Sequence, residues 1–480
     1  MRTKETAGLL VCALLAASAL APARAAALGA GVPTAGSVSA PSVARLSVIA
    51  DGTVSITHGA DATKVDATVN APLLAGDGFA TTGADVRAEI QLDGLTILRL
   101  GPGVRGRIAS NDVRTRVIEI DAGLVELALL RGSDTATEIV TPALTVRTRY
   151  AGNYRVNVTA DGSTTVAARS GQTDAITPSK TYTLVAGQTL EAPAGAAVAI
   201  RSSVARDPFD EFNDARDRTL LAALDGDSHL PASIAGYDDL NAYGQWTDVA
   251  SYGEAWVPKQ DANWAPYRDG QWTDTSGYGM TWVGSEPWGW VPYHYGRWFF
   301  VRRFGWCWYP PRFTTLPIWA PGLVGFFGSG YGPFGYSTLG WVPLAPFETY
   351  YPWYPWQWYA FRGQAVRSHP APPKRMQPLA TAFRNARFGG ASVLGAAAWH
   401  AGNFAHPAAV DSTRLSTVTL VRGHLPMLPD RPLAPASTRS ALTEMSAQPS
   451  WQSEFQHAAS ILTLPGLPAL PAQSVPIRAT

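Results

Sequence analysis

The chain has 480 residues, 46% of them apolar and only 16% charged, with 38 Lys and Arg against 37 Asp and Glu. That length holds two or three domains with cores of their own. The balanced charge leaves no basic excess to grip a phosphate backbone, so nucleic acid is excluded as a partner on electrostatic grounds.

Arg2 and Lys4 precede an apolar run from Leu9 to Leu20 that is short for a bilayer span, and Ala23-Arg24-Ala25 supplies small residues where a signal peptidase cuts. Residues 1–25 are therefore predicted to be a signal peptide cleaved near Ala25. The mature chain is expected to be periplasmic or secreted, with no stable membrane span. Cleavage removes Cys12 and leaves Cys307 alone, so no internal disulfide can form in that oxidising compartment. Residues 26–43, rich in Ala, Gly, Pro and Ser, read as a flexible lead-in.

From 44 to 200 the pattern is all β. Ala88, Ile90 and Leu92 alternate with Arg87, Glu89 and Gln91, the period of a half-buried strand. Asp93-Gly94 then marks a hairpin turn before the return strand Thr96 to Leu100. Further runs follow at 117–120, 124–130, 144–148, 154–158 and 164–168. Leu73-Leu-Ala-Gly-Asp-Gly78, Leu92-Asp-Gly94, Leu98-Arg-Leu-Gly101, Val140-Thr-Pro142, Ala151-Gly-Asn-Tyr-Arg-Val156, Ala168-Arg-Ser-Gly171 and Leu184-Val-Ala-Gly187 carry a resemblance to the FecR domain. That resemblance implies a periplasmic β-rich module of the kind found in regulators of iron-uptake sigma factors. The cleavable signal, and the lack of a cytoplasmic anti-sigma segment and a membrane helix, depart from the regulators' architecture.

Residues 204–226 are expected to form one linking helix. Asp207 suits the N-cap, Pro208 the first helical position, and Asp210 and Glu211 the positive end of the helix dipole. Phe209, Phe212, Leu220, Ala223 and Leu224 share one face, and Arg216 interrupts it, so its head is expected to find a carboxylate.

Residues 236–361 form a tryptophan-rich repeat domain. Trp246, Trp272 and Trp298 are 26 residues apart, as are Trp256, Trp282 and Trp308, and the units start at 241, 267 and 293. A fixed period marks units that bury their apolar faces against one another. A hairpin turning near Ser251-Tyr-Gly253 would bring Trp246 opposite Trp256, with Gly253, Gly279 and Gly305 taking positive φ. Trp319-Ala-Pro321 and Trp341-Val-Pro343 read as degenerate fourth and fifth units. Asp207-Pro-Phe-Asp210, Gly236-Tyr-Asp-Asp-Leu240, Tyr243-Gly-Gln-Trp246 and the string Glu286-Pro-Trp-Gly-Trp-Val-Pro-Tyr-His-Tyr-Gly-Arg-Trp298 resemble a tryptophan-rich domain of unknown function that accompanies FecR domains in exported proteobacterial proteins. Residues 362–480, rich in Pro, Ala and Ser, are expected to be mostly disordered, with compact structure ending between Phe361 and Ala382.

No catalytic constellation emerges. Gly101-Pro-Gly-Val-Arg-Gly106 has dinucleotide-loop spacing, but a strand pattern follows where that motif needs a helix. The histidines lack paired metal-ligand spacing, Cys307 has no histidine beside it, and no two carboxylates are opposed as a glycosidase requires. Neither cofactor nor metal is expected, and enzyme action is disfavoured. Fifteen tryptophans between 246 and 358 exceed the evident needs of a core that size, so some are expected to form an exposed patch. The expected platform is Trp264, Tyr267, Trp288, Trp290, Tyr293 and Trp319, around the Trp-x-Pro links, contacting a glycan or an envelope protein. A FecR-like sensory module acting through a separate membrane partner is the alternative, and an envelope polysaccharide hydrolase the third.

Overall fold

The computed structural model describes residues 42–59, 64–112, 115–202, 205–226, 229–275, 278–311, 319–332, 335–353 and 376–395, with 398, 407–410, 418–421 and 425. The expected signal peptide, nearly all of the expected lead-in and most of the expected disordered tail lie outside the described residues. The fold is mainly β.

Between Ala44 and Ser202 the strands divide between two sheets sharing one long strand, Thr115–Leu129. Its first half pairs with Arg105–Asn111 and, in parallel, with Ala136–Val140. Its second half pairs with Thr96–Leu100 and Gly152–Val158. Leu46, Ile90, Leu98 and Val125 from one sheet meet Ile56, Phe79, Ile118 and Val146 from the other in a fully buried core.

The expected return strand is found at Thr96–Leu100, but the preceding strand is not half-buried. Glu89 and Gln91 are as inaccessible as Ala88 and Ile90. The linking helix, Pro208–Asp225, lies over that outer face. Asp207 caps the helix through Phe209 N and Asp210 N, and the Asp210 side chain returns a bond to Asp207 N, a complete capping box. The far half packs by burial, with Leu220 against Ile97, Ala128 and Leu130.

The repeats form hairpins in the expected register. Hairpin 1 (Gly244–Val249 with Gly253–Pro258) pairs Trp246 with Trp256. Hairpin 2 (Gly270–Thr275 with Gly279–Gly284) pairs Trp272 with Trp282, and hairpin 3 (Arg297–Val301 with Gly305–Tyr309) pairs Trp298 with Trp308. Gly253, Gly279 and Gly305 adopt φ of 79°, 63° and 78° at the turns. The glycine two residues before each first tryptophan is also crowded, and Gly296 takes a left-handed φ of 68° besides. A Cβ on Gly244 or Gly296 would lie 2.3 or 2.6 Å from the indole of Trp256 or Trp308, so the cross-strand ring covers the glycine.

The units do not stack in sequence. Hairpins 1 and 3 join through Trp256 and Trp308 into one four-stranded sheet, while hairpin 2 stays two-stranded. A fourth hairpin, Val324–Gly332 with Gly335–Pro343, places Phe326 opposite Trp341. Its edges are paired by strands that lie beyond the expected end of compact structure between Phe361 and Ala382. Val418–Val421 pairs with its first strand and Ser392–Gly395 with its second. Met376–Gln377 and Ala408–Ala409 extend the sheet to six strands. Leu379, Ala386, Ala391 and Val418 are fully buried in the aromatic core. Both edges of hairpin 4 offer unpaired backbone groups, and these short apolar runs satisfy them. An average over a Pro- and Ala-rich composition conceals such runs.

Candidate functional site

The six residues expected to form an exposed platform are all core. Tyr267 and Tyr293 are fully inaccessible, Trp288 and Trp290 nearly so, and even Trp264 and Trp319 are only 8% and 5% exposed. Burial of an indole N–H favours a partner, and the links supply one to Trp264 and to Trp341, whereas among the described residues Nε1 of Trp290 and of Trp319 has none. Trp264 Nε1 donates to Glu286 Oε1 at 3.0 Å, and the Tyr293 hydroxyl donates to the same oxygen at 2.7 Å. Tyr267 donates to the Tyr293 carbonyl at 2.6 Å and accepts from Leu323 N, while its own carbonyl accepts from Trp341 Nε1. It holds a left-handed backbone, φ 61°, in doing so. Trp288 packs edge-on against Trp256 and Trp264. The links therefore bond one unit to the next, which turn-like Trp-x-Pro sequences do not announce.

Trp290 and Trp319 flank His294, which stacks on Trp319 at 4.6 Å and donates from Nδ1 to the Ala320 carbonyl at 2.7 Å. Burial pushes the imidazole down to about 3, so this histidine is a neutral hydrogen-bonding core residue. Cys307 is also buried, and burial pushes its thiol up to about 12, far from a reactive thiolate. Burial raises Glu286 to about 7 against the opposing bonds from Tyr293 and Trp264.

In the four-stranded sheet, Trp246, Trp256, Trp308 and Trp298 form one continuous row across the strands. Trp272 and Trp298 are buried alike, but Trp246, at the sheet edge, is half-buried beneath a stacked His229, whose Nδ1 lies 2.9 Å from Glu254. The expected equivalence of the three first tryptophans therefore fails at the edge.

The opposite face of this sheet is aromatic without tryptophan. Phe299, Cys307 and Ala255 form a small separate core. Tyr252 stacks on Phe299 at 4.0 Å and meets Tyr309 at 6.3 Å, and Tyr309 meets Phe347 at the same distance. Tyr252 and Tyr309 are half-buried, and Phe347 is 38% exposed with a left-handed φ of 71°. A bulky residue in that region is strained. Accessible aromatic surface is thus present on the face the tryptophan period does not mark, as it is at Phe388, 46% exposed and stacked on Phe300 of the other face.

Two polar junctions escape a reading by periodicity. At the first, Arg45 donates to Asn70 at 3.0 Å and to the Pro287 carbonyl at 2.7 Å, and pairs with Asp239 at 2.5 Å. Asn70, at φ 69°, donates to the Gly284 and Glu286 carbonyls. The N-terminal β domain and the repeat domain are joined directly, not only through the helix.

The second junction lies under the helix. Glu89, Arg99, Glu126 and Arg155 stand opposite one another on four adjacent strands, a buried row of alternating charge. Arg216 meets Glu89 at 2.7 Å, the carboxylate expected for it, and Arg99 meets Asp217 at 2.5 Å. Arg155 grips Asp207 with both terminal nitrogens, and Arg169 holds Asp210. Burial alone would raise Glu89, but the bond from Arg216 and the charges of Arg99 and Arg216 outweigh it and hold the carboxyl at about 2. The available signal was a charge of alternating sign on strands otherwise rich in Val, Ile and Leu.

Among the described residues no cluster of His, Cys, Asp and Glu could hold a metal ion, and no helix is long and apolar enough to cross a membrane. Residues 237–348 match a family of unknown function, DUF6600, which covers the four hairpins. No curated protein matches the chain. Among solved structures, a putative anti-sigma factor from Parabacteroides distasonis ATCC 8503 is similar in two crystal structures. The first has a TM-score of 0.23 and 15% identity over 24% of this chain, and the second has 0.22 and 14% over the same share. This chain spans about half the length of those structures, 55% and 56%.

Proposed function

We propose that the protein is an exported, non-catalytic envelope scaffold. In this reading a FecR-like β domain and the tryptophan-rich domain act as one body that presents an aromatic face to an envelope protein or glycan. The signal-like N-terminus and the FecR-like motifs support the compartment. The burial of the link tryptophans carries the scaffold assignment, because Trp264, bonded to Glu286, and Trp290, 1% exposed, have no free face for a ligand. The contact surface assigned here is the Tyr252, Tyr309 and Phe347 strip, where rings remain partly accessible and Phe347 sits on strained backbone. No reaction is assigned.

Pull-down of the mature protein with purified peptidoglycan, other envelope polysaccharides and envelope extract tests this reading. Tyr309→Ala and Phe347→Ala should abolish retention of the recovered partner while the melting temperature changes little. Retention unchanged in both variants would remove the strip from consideration. A regulatory reading gains support from one observation: the linking helix is fastened by ion pairs along its first half, a contact that can be released. In-cell crosslinking that recovers a membrane protein at the helix would favour it.

A further inference from the structure

The charges under the linking helix do not balance if every group is ionised. Four guanidiniums, Arg99, Arg155, Arg169 and Arg216, face four carboxylates that each receive a short ionic contact, namely Glu89, Asp207, Asp210 and Asp217. Two further carboxylates adjoin them: Asp238, 3.7 Å from Arg216, and Glu126, only 2% exposed and in the middle of the row. Its nearest cation contact is Arg99 Nη1, 3.5 Å from Oε1 and too long for a good hydrogen bond. Arg155 stands opposite it on the next strand, but its terminal nitrogens are committed to Asp207 and Asp210. From the helix, Asp210, Asn213 and Asp217 face it, two of them carboxylates. Glu126 shares its one nearby cation, Arg99, with Glu89 and Asp217 and lies beside two further carboxylates, and a low-dielectric site expels so weakly compensated a charge by protonation.

We propose that the linking helix is a proton-sensitive latch, closed most tightly when Glu126 carries a proton and loosened when Glu126 ionises. Burial raises this carboxyl from 4.5 to about 7, with Arg99 opposing and Asp217 and Asp210 adding to the rise. A carboxyl raised in the closed state binds its proton more tightly there than when the helix has lifted and water reaches it. Latch strength is therefore greatest near pH 4.5, declines as the pH rises to about 7, and is lowest and flat above that. Glu89 opposes only in strong acid, since its carboxyl is held at about 2. In an envelope compartment open to the external medium, the latch would report ambient pH through the freedom of the helix.

Amide hydrogen exchange of residues 208–225 in the full chain, corrected for intrinsic exchange rates and compared at pH 5 and pH 8, tests the proposal. Protection should fall at least about tenfold at pH 8, the effect of one unit of pKa difference. Glu126→Gln, which keeps the shape of the protonated acid, should remove that dependence and hold pH 8 protection at the pH 5 level. Glu286→Gln, outside the clasp, should leave the helix's dependence intact. Equal wild-type protection at the two pH values, or an unchanged dependence in Glu126→Gln, overturns the proposal. Carboxyl NMR titration of Glu126 in the unmodified protein supplies a reading free of mutation: a midpoint near neutrality supports the latch, and one near 4.5 contradicts it.

Discussion

The helix clasp and the tryptophan domain both bury large side chains, but by opposite chemistry. Under the helix, each charge but that of Glu126 is held by a partner at short distance, so a single deletion strands the remaining ions in low dielectric. In the tryptophan domain, dispersion and area burial dominate, and indole hydrogen bonds only fix orientation. The first interface is tuned by protons. The second responds to volume and hardly to pH, except at the carboxyls of Glu286 and Glu348, both raised by burial.

The comparison is tested first where the expected loss is greatest. Trp264→Ala and Trp290→Ala should destabilise as much as Trp272→Ala and Trp298→Ala, each by about 3–5 kcal/mol in chemical denaturation. A mild effect at 264 or 290 would return those residues to the surface. Arg99→Ala, which leaves Glu89, Glu126 and Asp217 without their shared cation, should cost a similar ~3–5 kcal/mol. Part of that loss should be recovered in the double variant with Glu126→Gln, whereas no second change should rescue a tryptophan cavity.

Global stability should have its maximum near pH 5. Glu286, like Glu126, is raised to about 7, mainly by burial, so each binds its proton more tightly in the fold and loses stability as pH climbs from about 4 to 7. Glu89 is lowered, so its contribution is present above 4.5 and disappears as pH falls toward 2. Denaturation midpoints at pH 3, 5 and 8 check the shape, and a midpoint that rises steadily to pH 8 would contradict it. The smallest effect is expected at the edge of the indole row. Trp246→Ala, half-buried under His229, should cost about 1–2 kcal/mol.

Local pattern revealed what local pattern controls. Asp207, Pro208 and Asp210 specify the start of the helix because capping is a contact among neighbours. The 26-residue step specifies the cross-strand pairs because each hairpin closes within its own unit. What the period could not convey is how units meet. The joining of hairpin 1 to hairpin 3 rests on Trp256 and Trp308, 52 residues apart. The Trp-x-Pro links look exposed in sequence because Pro and turn residues flank them, yet Glu286 and the Tyr293 carbonyl lie waiting in the next unit. Glu89 and Gln91 read as solvent-facing because strand alternation cannot indicate that a charged helix face lies above. The tail strands were hidden for a similar reason, since their partners are in hairpin 4.

Residue-resolved hydroxyl-radical footprinting of the native protein tests the buried aromatic framework most directly. Trp264, Trp288, Trp290, Trp298 and Trp319 should be protected relative to the unfolded chain, while Trp246, Tyr252, Tyr309 and Phe347 should label readily. Labelling of Trp264 and Trp290 at rates near those of the unfolded chain, with Tyr309 and Phe347 protected, would contradict the framework and restore the link tryptophans as the binding surface.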